Sequence, residues 1–243
     1  MGNDREIMGL KLLQKALAVH KGLETGCPDP DTAFRWYLKA ARMGCLPAMK
    51  HLGLACLEKQ DYENAYYWFL EAALGGEKDS LYYIGDLYYK GIYVRRDPEK
   101  AYAFFRRAYK KGVNESCYYM GLEAETGEPG ELAPDMEKAV SIYRKGTAEG
   151  SAASALRLGR CFMAGTGVPQ DREQGREYIL LSYRWGSPEA CGELGRIYET
   201  GDGTEPDMQK AGQYYTEGVR RGNSGCKAAL QRLKEKGEYQ DGR

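Results

Sequence analysis

The side chains that could do chemistry in this 243-residue chain are few and scattered. Its two histidines, His20 and His51, fall on different predicted helices, and a metal site built on them would need carboxylates or thiolates converging on the same point. Seven cysteines stand at 27, 45, 56, 117, 161, 191 and 226, with no Cys-x-x-Cys pair among them. An odd number without a paired spacing reads as reduced thiols, and so as a cytoplasmic chain. Glu123, Glu125, Glu128, Glu131 and Asp135 gather in one stretch, but not at the spacing of an EF-hand loop; the reading is a solvated acidic loop. No Gly-x-Ser-x-Gly, His-Glu-x-x-His or Walker loop is present. Gly165-Thr166-Gly167 and Gly201-Asp202-Gly203 follow helical stretches rather than strands, so they read as turns and not as a phosphate cradle. The inventory predicts no catalytic residue, no metal and no cofactor.

Composition narrows the class further. Lys and Arg number 35 and so do Asp and Glu, giving no net charge. That balance argues against a general nucleic-acid binder or a protein of anionic membrane surfaces. No stretch approaches the ~18 apolar residues of a membrane helix. The opening MGNDREIMGLKLLQKALAVHKG carries charges within its first segment and does not read as a signal peptide.

The elements that must position any site are given by a repeat. Asp recurs at 29, 61, 97, 135, 171 and 207, and Gly follows 15 residues later each time, at 44, 76, 112, 150, 186 and 222. Successive Asp residues lie 32, 36, 38, 36 and 36 apart, the period of a helical solenoid. Four residues after each Asp stands a small side chain: Ala33, Ala65, Ala101, Ala139, Gly175, Ala211. Bulky pairs follow at offsets seven and eight, from Trp36-Tyr37 and Trp68-Phe69 to Tyr214-Tyr215. Small and bulky residues at offsets 4, 7, 8 and 11 form one face of a helix. Asp suits the N-cap, and Gly suits the left-handed position after the helix end.

A second helix type precedes each of these. Four residues after the closing Gly comes a small residue (Ala48, Ser80, Ser116, Ser154, Ala190, Cys226), and eight after it an aliphatic one. Gly53, Gly85, Gly121, Gly159 and Gly195 stand next. Glycine within a helix costs about 1 kcal/mol against alanine. Its return in five hairpins predicts a packing reason, the close approach of the partner helix where a Cβ would clash.

The stretches IGDLYYKGIYVRRDPEKAYAFFRRAYKKG (84–112) and LGRCFMAGTGVPQDREQGREYILLSYRWG (158–186) resemble the Sel-1-like repeat, a relative of the tetratricopeptide repeat. The resemblance covers residues 29 to about 237. It implies an all-α fold, a right-handed α-α superhelical solenoid of about six hairpins with terminal cap helices. We read one continuous array: an N-terminal capping hairpin 1–44, repeats 45–76, 77–112, 113–150, 151–186 and 187–222, and a cap helix and tail 223–243. The opening helix presents an apolar stripe of Ile7, Leu10, Leu13, Ala16 and Leu17 outside the repeat's spacing. The final EYQDGR reads as a frayed tail. Departures from the pattern are a short loop without Gly-x-Gly in 45–76, two extra loop residues in 113–150, and Gly175 in place of alanine.

In such arrays the first helix of each hairpin lines the concave face, and the resemblance carries that role to this chain. Around the mid-helix glycines the residues vary while their neighbours repeat, which marks them as surface. Those chosen as partner-binding residues are His51, Tyr82, Tyr83, Asp86, Tyr118, Tyr119, Arg157, Arg160, Glu193 and Arg196. Tyrosine and arginine are enriched at interface hot spots. The expected function is a non-catalytic scaffold that binds a peptide or protein partner on the concave face, as a monomer, without nucleic acid or membrane. The alternatives are a groove that binds or transforms a small molecule, and a homo-oligomeric spacer.

Overall fold

The computed structural model describes residues 2–23, 26–127 and 133–239. Among the described residues every regular element is a helix. The helices pair in sequence: α1 (Gly2–His20) with α2 (Pro30–Arg42), α3 (Leu46–Glu58) with α4 (Tyr62–Leu74), and α5 (Asp79–Lys90) with α6 (Pro98–Lys110). The pairs continue with α7 (Ser116–Thr126) and α8 (Met136–Ala148), α9 (Ala152–Ala164) and α10 (Arg172–Arg184), and α11 (Pro188–Thr200) and α12 (Met208–Arg220). A last helix, α13 (Ser224–Glu235), follows. The fold is an all-α helical solenoid of about six repeats. The chain divides into two compact units, Met1–Ser116 and Cys117–Arg243. The first holds α1 to α6; the second holds α8 to α13 and all of α7 but its first residue. Among the described residues no helix is long and apolar enough to cross a membrane.

The predicted caps are in place. Asp29, Asp61, Asp97, Asp135, Asp171 and Asp207 each accept the N–H of the residue three positions on, at 2.9–3.3 Å. Those bonds favour the ionised carboxylate and hold Asp29, Asp97 and Asp207 below the usual carboxyl range. At the other end the six closing glycines take φ between 78° and 104°. The short loop of the second hairpin lacks a glycine, and Gln60 adopts the left-handed conformation there, with φ 59°.

Packing follows the repeat. The small residues at offset four after each Asp are fully buried, as are Tyr37, Phe69, Phe105, Tyr143 and Ile179 at offset eight. The mid-helix glycines are where these rings arrive. A Cβ on Gly53 would lie 2.5 Å from the Phe69 ring, and one on Gly85 would lie 2.8 Å from Phe105. On Gly121 and Gly195 it would overlap the rings of Tyr143 and Tyr215. The ninth and tenth helices approach closest of all: a Cβ on Gly159 would meet the Gly175 carbonyl oxygen at 2.8 Å, and one on Gly175 the Gly159 carbonyl oxygen at 2.9 Å. That contact explains why glycine stands at 175 where other repeats carry alanine.

Two expectations about the ends need correction. In α1 only Leu13 and Ala16 of the predicted stripe are buried, while Ile7 and Leu10 stay about half exposed, because the face turned to α2 in the N-terminal half carries Gly9, which is buried against Ala40 and Cys45. The segment after α13 is not wholly frayed. Tyr239 is buried against Gly212, where a Cβ would overlap its ring, and joins a core with Tyr215 and Leu233. The remainder of that tail, 240–243, lies outside the described residues.

Gly159→Ala tests the close approach. Helix propensity alone favours alanine by about 1 kcal/mol, whereas the backbone contact makes it net destabilising by about 1–3 kcal/mol. The expected result is a lower urea midpoint with unchanged helicity; a higher midpoint would sink the packing explanation. In the opposite sense, Gln60→Gly raises stability by about 0.5–1 kcal/mol, by relieving a left-handed non-glycine residue.

Candidate functional site

In the first unit the chosen residues are largely engaged in packing. His51 lies stacked on Tyr37, with ring centres 5.2 Å apart. Tyr83 stacks on Phe69 at 4.8 Å, and Tyr82 stands edge-on to Tyr83 and 5.8 Å from Phe105. Asp86 pairs with Lys90 at 2.7 Å. Burial, then Lys50 and His20, lowers the His51 pKa below its ordinary 6.5. Lys50 itself binds Asp79 at 2.6 Å.

The second unit brings its chosen residues together. Tyr118 is half-buried beneath the Arg157 guanidinium, 5.9 Å away, while Tyr119 is buried beside it. Arg157 pairs with Glu125 at 3.4 Å. Arg160 Nε and Nη2 donate to Glu193 Oε1 at 2.9 and 2.6 Å, joining α9 to α11. Arg196 donates to the other oxygen of the same carboxylate at 3.1 Å. Arg232, on α13, donates to both oxygens of Glu199 at 2.6 and 2.8 Å. The pairs of Glu193 and Glu199 with Arg160, Arg196 and Arg232, together with the exposed Glu189, line an open cleft of about 580 Å³ on α9, α11 and α13. A neighbouring hollow of about 450 Å³, walled by Tyr118, Leu156, Arg157 and the half-exposed Trp185, shares Arg160 and Glu189 with it.

Two of the carboxylates are also held from below. Tyr143 donates its hydroxyl to Glu125 at 2.7 Å and Tyr215 donates to Glu199 at 2.8 Å. Burial, and after it the adjoining carboxylate, drives both phenol pKa values well above their ordinary range, so both remain donors. Each is a relay in which a core tyrosine fixes a glutamate and the glutamate aims an arginine. Sequence reasoning missed Glu199, Arg232 and Trp185, and read Glu125 as part of a solvated loop. Glu123 and Glu125 instead lie on α7, with Glu123 buried, while Asp135 caps α8 and Glu128 and Glu131 fall outside the described residues. The signal was available: Glu125 and Glu199 each stand four residues after a mid-helix glycine whose hairpin carries tyrosine at offset eight. Among the described residues no group of three His, Cys, Asp or Glu side chains could hold a metal ion.

A family model described as Sel1 repeat matches residues 12–45, 48–77, 78–113, 114–151, 152–184 and 188–223. Its first match takes in the second half of α1, which makes that helix part of a repeat. Among solved structures, a Sel1 repeat protein from Oxalobacter formigenes is 28% identical over 87% of each chain, with a TM-score of 0.73. The protein c5321, a protective antigen of uropathogenic Escherichia coli with an SLR fold, is 28% identical with a TM-score of 0.60. That match covers 97% of this chain and 49% of the other, about half its length. The immunity protein PA5088 of Pseudomonas aeruginosa, 15% identical over 89% of this chain and 82% of its own, has a TM-score of 0.63 and shares the fold. No curated protein matches the chain.

The His51 environment generates a pH prediction. Its folded-state pKa is lowered, so the unfolded chain takes up the proton first and stability falls as pH drops through the unfolded value of 6.5. Urea midpoints measured just above and just below that pH should show the decline in wild type and a flatter profile in His51→Gln. Identical profiles would mean that the stacked imidazole is not the titrating group.

Proposed function

The chain belongs to the Sel1 repeat family, whose members are generally protein-interaction scaffolds, and we propose that it binds a peptide segment of a protein partner along α9, α11 and α13. The observation that carries this reading is the cleft on those helices. It carries a row of arginines fixed by glutamates, and the hollow beside it, which shares Arg160 and Glu189, adds a half-exposed aromatic anchor, Trp185. Aromatic and arginine side chains set in a groove are the usual sources of interface energy. The proposal is non-catalytic: the polar groups of the cleft are paired carboxylates and guanidiniums, an arrangement suited to holding a ligand rather than to nucleophilic or acid–base work.

Cytoplasmic localisation belongs to the same proposal. None of the seven cysteines is in a disulfide; six are buried and Cys27 is exposed. Burial raises the pKa of Cys45, Cys56, Cys161, Cys191 and Cys226, which keeps them protonated and unreactive. Such a set suits a reducing compartment.

Site-specific photo-cross-linking tests the groove. A photoreactive residue at Ala153, exposed on the rim beside Trp185, is compared with one at Glu173, exposed on α10. In cells of the source organism the first should capture a discrete protein that the second does not. Equal capture from both positions, or none from Ala153, would overturn the assignment.

A further inference from the structure

The cleft is layered by charge. Two of its three glutamates lie inward, with the side chains of Glu193 and Glu199 18% and 19% exposed, while the third, Glu189, is exposed at the edge shared with the neighbouring hollow. The guanidiniums lie outward: Arg160, Arg196 and Arg232 are 42%, 53% and 52% exposed. Each inner carboxylate already receives its bonds, Glu193 from two arginines and Glu199 from Arg232 and Tyr215. The arginines are not used up. Arg160 and Arg196 bond through Nε and Nη2 and Arg232 through Nη2, which leaves Nη1 of all three for a ligand. Apart from Glu189 at one edge, what an incoming chain meets first is therefore a set of oriented, half-exposed donors on three successive first helices.

We propose that this layer selects a peptide segment rich in aspartate and glutamate. The inference rests on the scaffold reading and names the chemistry of the partner. Guanidinium forks match carboxylates in geometry as well as charge. An arginine already held by a half-buried glutamate loses little rotamer freedom on binding. The pairing also disfavours a basic partner, whose ammonium groups would face outward-lying cations. Phosphate would satisfy the same forks, but RNA is a poorer fit. It gains affinity by neutralising many phosphates, and here three exposed arginines share the cleft with three glutamates on a chain with no net charge.

The test is selection from a random peptide library displayed on phage, run against the intact chain and against the Arg160→Gln, Arg196→Gln double variant. Circular dichroism checks that both hold the same helicity. The expected result is enrichment of Asp- and Glu-rich peptides by wild type. One enriched peptide, its Asn/Gln counterpart and a single-stranded RNA oligomer are then compared by fluorescence anisotropy. The acidic peptide should bind the double variant about tenfold or more weakly, and more weakly still as salt rises. Arg196→Lys should recover only part of the loss, since charge without the fork is a poorer match. Enriched peptides without acidic bias, an amide counterpart that binds equally, or tighter binding of RNA would each overturn the acidic preference. So would failure of the library to enrich while Ala153 still cross-links a protein, and that pattern would leave the scaffold reading standing. Loss of both the enrichment and the cross-link would remove the groove itself.

Discussion

Everything in this molecule depends on how closely the two helices of each hairpin approach. In the five hairpins from α3 to α12 a glycine in the first helix receives the ring or branched side chain that stands eight residues after the capping aspartate of the second. The exchange is unfavourable locally and favourable globally. Glycine within a helix costs about 1 kcal/mol, while burying a large apolar side chain contributes about 1.5–3 kcal/mol. The ring also fixes the crossing point, so each hairpin leaves the contact with the same geometry and presents the same faces to its neighbours. Such a fold sums intrinsic hairpin stability and nearest-neighbour terms, and the glycine contact sets both.

That constraint divides the residues of the first helices into two populations. Positions one turn apart, such as Leu158 and Cys161, are committed to the core. Positions two and three before the glycine and one after it are released, and there the repeats diverge. In the first unit the released positions are taken up by aromatic packing: Tyr83 lies flat on Phe69 and His51 on Tyr37. In the second unit Tyr119 and Leu156 are still buried at such positions, while Arg157, Arg160, Glu193 and Arg196 stand at others. One repeat geometry thus supports an aromatic filling in one unit and a charged cleft in the other, which is why function has to be argued from sites rather than from the fold.

The periodic part of the structure was legible in the chain because its causes are local. Asp171 caps the next turn, Gly186 accepts a left-handed φ of 91°, and Ala139 and Tyr143 lie on one helical face; all three follow from offsets along a single element. The close approach at Gly159 was inferable for the same reason, since a recurrent helix glycine needs a compensating contact. The site was less legible because its contacts join residues 32 to 33 positions apart on separate helices. Paired tyrosines drew attention by type, yet Tyr119 is buried, and type alone does not separate a core ring from a groove ring. Glu199 carried a signal only in its offset from Gly195, and Arg232 became visible only through its contact with that glutamate. Tyr239 was lost for a related reason: a terminal segment reads as solvated until a glycine such as Gly212 is seen to make room for it.

The two tyrosine–glutamate–arginine relays have a consequence beyond charge. Tyr143 and Tyr215 are core residues whose hydroxyls reach the surface layer through Glu125 and Glu199, so Arg157 and Arg232 are each anchored to a contact that holds the preceding hairpin together. Between them the corresponding positions are Ile179 and Met163, which offer no hydroxyl and no carboxylate. There Arg160 crosses from α9 to Glu193 on α11, and Arg196 closes on the same carboxylate. The row is therefore tied to the core at its ends and tied across helices in its middle. Arginines held in this way are ordered before any partner arrives. A ligand that matches them avoids much of the about 0.5–1.5 kcal/mol otherwise lost in fixing each mobile side chain. The glycine contact that builds the hairpin and the charged row that would read a partner are in this sense one structure, joined through two buried tyrosines.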